Sequence, residues 1–61
     1  MKGIARCRKR ADMTQAELAF LLGVTEMTIS NYECGTREPS IETLKKLAGI
    51  FNVTVDELIA D

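Results

Sequence analysis

Met27, Ser30, Asn31 and Cys34 follow one another at i, i+3, i+4 and i+7. On a helix that spacing gathers four side chains on one face. Ile29 and Tyr32, an i, i+3 pair, lie on the opposite face and are expected to turn inward. A helical face meant only for water should carry charges. This stripe is instead neutral and small to medium in size, and its one amide, on Asn31, both donates and accepts hydrogen bonds. Such a face suits a surface that enters a groove and reads hydrogen-bonding edges.

The elements that must position this face lie between Thr14 and Gly35, in TQAELAFLLGVTEMTISNYECG. Thr14 is placed to cap a helix, since its hydroxyl can accept from backbone donors that the first turn leaves unpaired. Glu17, three residues on, completes a capping box. Leu18, Ala19 and Leu22 then share one face. Gly23 follows the last apolar residue, where a left-handed backbone is needed and a residue without Cβ adopts it cheaply. Val24 fills the corner, Thr25 can cap the next helix, and Gly35 offers its stop. The expected arrangement is helix, tight turn, helix over residues 14–35.

This segment resembles the helix-turn-helix of the phage repressor and Cro family, also called the xenobiotic-response-element family. TQAELA opens helix 2, LGVT is the turn and TISNYE reads as the recognition helix. The match continues through Glu38, Pro39, Ser40 and Ile41 to Ile59, nearly the whole chain. The resemblance implies an all-α, five-helix, lambda-repressor-like fold in one domain over 1–61.

Sixty-one residues leave room for one domain, near the lower limit for an apolar core without staples. An apolar fraction of 46% with only 5% aromatic residues suits a small helical unit built on Leu, Ile, Val and Ala. No apolar run approaches the ~18 residues of a membrane span, and the first residues lack the apolar stretch of a signal peptide. The chain is therefore expected in the cytoplasm. Two cysteines and no histidine cannot supply a four-ligand zinc site, so no metal is expected, and in a reducing compartment Cys7 and Cys34 are expected as free thiols, Cys7 in the core. With no histidine, no glycine-rich phosphate loop and no activated nucleophile, neither a cofactor nor an enzymatic function is expected. The net charge of −1 opposes binding of nucleic acid by bulk charge. Lys2, Arg6, Arg8, Lys9 and Arg10, however, crowd the first ten residues and make the local field positive there.

Helix 1 is expected from about Lys2 to Ala11, with Ile4, Cys7, Arg8 and Ala11 on its inward seam. A guanidinium in that seam needs a partner, and Glu33 is the one acid on the inward face of helix 3. The alternative is that Arg8 buries only its stem and keeps its head in water. The family resemblance, which places an arginine and a glutamate at these two positions, favours the ion pair. Met13 should cover the core edge, whereas Phe20 and Leu21 stand where the family usually has polar residues and are expected to face out. That pair reads either as scattered surface or as a contact patch. Ser40 is expected to cap helix 4, with Ile41, Leu44, Leu47, Ala48 and Phe51 inward and an end near Asn52. Thr54 and Glu57 suggest a second capping box, opening a helix 5 in which Val55, Leu58 and Ile59 turn inward.

The resemblance further implies that helix 3 enters the major groove of double-stranded DNA while helix 2 lies across the backbone. Gln15 matches the family's phosphate-binding glutamine, and Thr36, Arg37 and Ser40 are candidates for the other flank. Glu26, Met27 and Asn31 match base-facing positions, with Thr28 and Ser30 beside them, and Thr25 counts with this set as well as being a cap. Asn31 could pair with adenine and Met27 could lie against a thymine methyl. Glu26 could accept from cytosine, or could simply offset the helix dipole. Cys34 stands where the family often has a polar residue touching phosphate. The function expected is a sequence-specific transcriptional regulator, a repressor, bound as a homodimer to a pseudo-palindromic operator. A protein-interaction module of the same fold that does not bind DNA is the alternative, favoured by the pI of 5.3, Glu26, Phe20 and Leu21.

Overall fold

The computed structural model describes residues 1–60. Five helices account for most of it: α1 (Lys2–Arg10), α2 (Gln15–Leu22), α3 (Glu26–Cys34), α4 (Ile41–Phe51) and α5 (Val55–Ile59). Their ends follow from local chemistry. Thr14 accepts the Glu17 amide at 3.0 Å while the Glu17 carboxylate accepts the Thr14 amide at 2.9 Å, so α2 opens on a full capping box. Thr25, Ser40 and Thr54 each accept the backbone N–H three residues on, starting α3, α4 and α5. Gly23 and Gly35 close α2 and α3 with φ of 78° and 85°, the left-handed backbone that favours glycine. Asp12 and Asn52 reach the same region at the ends of α1 and α4 with short polar side chains.

All five helices meet in one core. Ile4, Cys7, Leu18, Ala19, Ile29, Tyr32, Leu44, Leu47 and Leu58 are buried, with Met13, Leu22, Val24, Ala48, Phe51 and Val55 packed around them. α2 lies against α3, α1 against α5 and α3, and α4 against α5 and α2. Cys7 and Cys34 are both free, the first buried and the second exposed.

Four expectations need correction. Ala11 is not in the seam of helix 1: it lies one residue past the helix, as its C-cap, and is exposed. Ile41 falls on the apolar period of α4 but is exposed, since it is the first residue of the helix, and burial begins at Leu44 and Leu47 one turn further on. Ile59 is exposed as well, since Leu58 takes the inward position of a five-residue helix. The Thr54 box is half-made. Thr54 accepts from Glu57 at 3.2 Å, but the Glu57 carboxylate lies 4.0 Å from Arg10.

One close approach joins the two ends of the chain. Gly3 is buried where α1 crosses α5, and a Cβ there would stand 2.3 Å from the carbonyl oxygen of Leu58. Arg6 adds a hydrogen bond of 2.9 Å to the Ala60 carbonyl, so α1 holds α5 at both backbone and side-chain level.

Candidate nucleic-acid interface

α3 is fixed by its buried side. Ile29 and Tyr32 lie in the core, which leaves Glu26, Met27 and Cys34 exposed and Thr28, Ser30 and Asn31 half-buried. Met27 is 72% exposed, a large apolar side chain with no core to enter. Among the described residues, Glu26, Ser30 and Asn31 spend no side-chain atom on a hydrogen bond within the protein. Thr28 differs, because its hydroxyl lies 3.0 Å from that of Thr25 and its amide donates to the same Thr25 oxygen. Thr25 and Thr28 thus form the N-terminal cap of the helix, and Glu26 stands in its first turn near the positive end of the dipole.

The loop after α3 is tied to the same helix. The Asn31 carbonyl accepts from the amides of Thr36 at 3.0 Å and Arg37 at 3.3 Å, which holds that loop beside the exposed stripe and leaves both side chains exposed. Ser40 is placed at the start of α4, accepting from the Thr43 amide and donating its own proton to the Thr43 hydroxyl at 3.0 Å.

Behind this surface, Arg8 and Glu33 meet. Arg8 Nε donates to Glu33 Oε2 at 2.6 Å and Nη2 donates to Oε1 at 3.2 Å, a bidentate pair with side chains only 13% and 9% exposed. Arg8 Nη1 also donates to the Met13 carbonyl at 2.8 Å, so the head of Arg8 is not left to water. Gln15 completes the group by donating from Nε2 to Glu33 Oε1 at 3.0 Å. Three helices are thereby tied through one carboxylate, and Arg8 ties the link before α2 to the same group. Desolvation pushes the Glu33 carboxyl up, but hydrogen bonds from Arg8 and Gln15, with the charges of Arg8 and Lys9, outweigh it and hold the group below the ordinary glutamate range. The hydrogen bond to Glu33 raises the Arg8 guanidinium further, against its own desolvation. Glu17 is lowered too, by its bonds to the Thr14 backbone and hydroxyl.

A helix-turn-helix family model of the Cro/C1 type matches residues 4–58. The chain belongs to this family. Among its relatives are an uncharacterized HTH-type transcriptional regulator, YqaE, of Bacillus subtilis, 36% identical over 95% of this chain and 50% of its own length. The HTH-type transcriptional regulator AnsR of the same organism is 39% identical over 92% of this chain and 48% of its own. The cryptic phage CTXphi transcriptional repressor RstR of Vibrio cholerae is 41% identical over 88% and 49%. The chain thus spans about half the length of these relatives. No solved structure matches it.

Within the helix-turn-helix, sequence reasoning brought α3, its caps and the Arg8 and Glu33 positions together but missed two contacts, Gln15 with Glu33 and Arg8 with the Met13 carbonyl. Gln15 and Glu33 are 18 residues apart and on different helices, so no periodicity or local motif couples them. Phe20 and Leu21 face out, 85% and 54% exposed, beside Met13 and Ala16. Among the described residues no helix is long and apolar enough to cross a membrane.

Proposed function

We propose that this chain is the DNA-binding unit of a transcriptional regulator, a repressor that inserts α3 in the major groove of a pseudo-palindromic operator and binds there as a homodimer. The observation that carries this reading is the state of the α3 surface. Glu26, Met27, Ser30 and Asn31 form an exposed or half-exposed stripe whose polar atoms are not engaged within the protein. A stripe of this kind, held by a rigid core on its other side, has hydrogen-bonding capacity to offer base edges. Asn31 supplies the donor and acceptor that match adenine, Met27 an apolar contact for thymine, and Glu26 an acceptor for cytosine. Ser30, Thr28 and Thr25 border them.

The flanks are suited to phosphate. In the first turn of α2 the capping box occupies the amides of Thr14 and Glu17. The amides of Gln15 and Ala16 are left at the positive end of the helix, beside the Gln15 side chain. On the other side stand Thr36, Arg37 and Ser40. Ser40 would have to turn its hydroxyl from Thr43 to donate to phosphate. The homodimer follows from matching a protein two-fold to half-sites about one helical turn apart.

Selection of bound duplexes from a random DNA pool tests the proposal. The expected result is enrichment of one inverted-repeat sequence, with affinity for random duplex falling steeply as salt rises. Failure of any sequence to enrich, together with no salt-dependent binding, would refute it and favour the interaction module. Enrichment of a single unrepeated half-site would refute the dimer alone. A reporter carrying the selected site within its promoter should lose expression when the protein is present, and increased expression would overturn the repressor assignment.

A further inference from the structure

Glu33 is the junction of two sets of bonds that differ in kind. Its Oε2 is committed to Arg8 Nε at 2.6 Å, a bond between two largely buried charges. Its Oε1 is shared, 3.2 Å from Arg8 Nη2 and 3.0 Å from Gln15 Nε2. An amide nitrogen carries two protons and the amide oxygen carries none. A carboxylate can only accept, so it selects the orientation of Gln15 in which nitrogen, and not oxygen, faces it. One N–H of Gln15 is then used inside the protein, and the other has no partner among the described residues. Without the carboxylate the amide would be free to rotate and offer its oxygen, which phosphate repels, to the same place.

We propose that Glu33 is a positioning residue for DNA binding: it fixes the Gln15 amide so that the remaining N–H is presented to a backbone phosphate at the N-terminus of α2. The ion pair with Arg8 serves this role by holding the carboxylate still. Arg8 fixes both oxygens from α1, and its third bond, to the Met13 carbonyl, anchors the guanidinium to the segment that leads into α2. The carboxylate therefore sits in a frame built from α1, the α1–α2 link and α3, and Gln15 is aligned to that frame before any DNA arrives. Ordering a glutamine side chain at the moment of binding opposes association, and an amide already held by Glu33 avoids much of that cost.

The inference rests on the DNA-binding reading above, and the experiment separates the two. Affinity for duplex DNA is measured for the parent, Gln15→Ala, Glu33→Gln and the double variant, under conditions where circular dichroism shows each to be folded. In the parent, Gln15→Ala should weaken binding about tenfold, the size of one good hydrogen bond to a charged acceptor. In the Glu33→Gln background the same change should cost less than about twofold, because the amide is no longer aligned. Glu33→Gln breaks a buried ion pair and can unfold so small a chain. The joint variant Arg8→Met with Glu33→Met replaces the pair by apolar side chains of similar volume, a change often tolerated, and serves as a second background without the carboxylate. An equal loss from Gln15→Ala in all backgrounds would overturn the positioning role while leaving DNA binding intact. So would a Gln15→Ala variant that binds as tightly as the parent. A parent that binds no duplex would remove the inference together with the function on which it rests.

Discussion

Replacing Gly3 by Ala sets local propensity against tertiary packing with opposite signs. Within a helix, Gly to Ala stabilises by up to about 1 kcal/mol, and Gly3 is the second residue of α1. The structure dictates the reverse. A Cβ on Gly3 would lie 2.3 Å from the Leu58 oxygen, 2.4 Å from the Glu57 oxygen and 2.6 Å from the Leu58 carbonyl carbon, all inside the 3.0 Å that real Cβ atoms keep. The obstacles are backbone, so no side chain can swing aside. Either α5 stays and the strain of overpacking, about 1–3 kcal/mol, remains, or α5 lifts off and Leu58 loses a burial worth about 1.5–3 kcal/mol. After the propensity gain, a net loss of about 1 kcal/mol is expected. That is an appreciable part of the roughly 3–9 kcal/mol expected for a chain of this size, and should lower Tm by about 4–8 °C. Gly49 provides the control. It lies in α4 with nothing within 4 Å of its added Cβ, so Gly49→Ala should raise stability by about 0.5–1 kcal/mol. Thermal and urea unfolding followed by far-ultraviolet circular dichroism measure both. If Gly3→Ala proved as stable as Gly49→Ala, the close packing of α1 on α5 would be wrong.

The lowered carboxyl of Glu33 fixes the sign of an acid effect. Because the folded state binds its proton less readily than the unfolded chain, its stabilisation is complete above the ordinary glutamate value of about 4.3 and is lost as pH falls through the lower folded value. Urea unfolding should therefore show stability rising with pH across that interval, and Glu33→Gln should flatten the rise; an unchanged slope would mean that Glu33 is not the group responsible. On DNA, Asn31→Ala should relax preference at one operator position by ~1–3 kcal/mol while leaving affinity for random duplex unchanged. Competition assays with single-base variants of the selected site measure this, and equal losses on operator and random duplex would remove Asn31 from base reading.

The sequence by itself determined the elements. The Thr14 and Glu17 box, the caps at Thr25, Ser40 and Thr54, and the glycines at 23 and 35 act within three or four residues, so their effects are legible in a linear string. The same range fixed the inward faces of α2 and α3, where Leu18, Ala19, Ile29 and Tyr32 are all buried, and with them the outward stripe of the candidate site. What the tertiary structure decided lies at helix ends and between helices. Periodicity assigns Ile41, Ile59 and Ala11 to apolar faces, but a face is buried only where another element covers it, and these three, at or just past a helix end, are exposed. Gly3 has no local signature that marks it as indispensable. Its need for a missing Cβ comes from a carbonyl 55 residues away in sequence, which α5 brings against α1. The bond from Gln15 to Glu33 has the same origin: each residue suits its own helix, and only the packing of α2 against α3 places one amide and one carboxylate 3.0 Å apart.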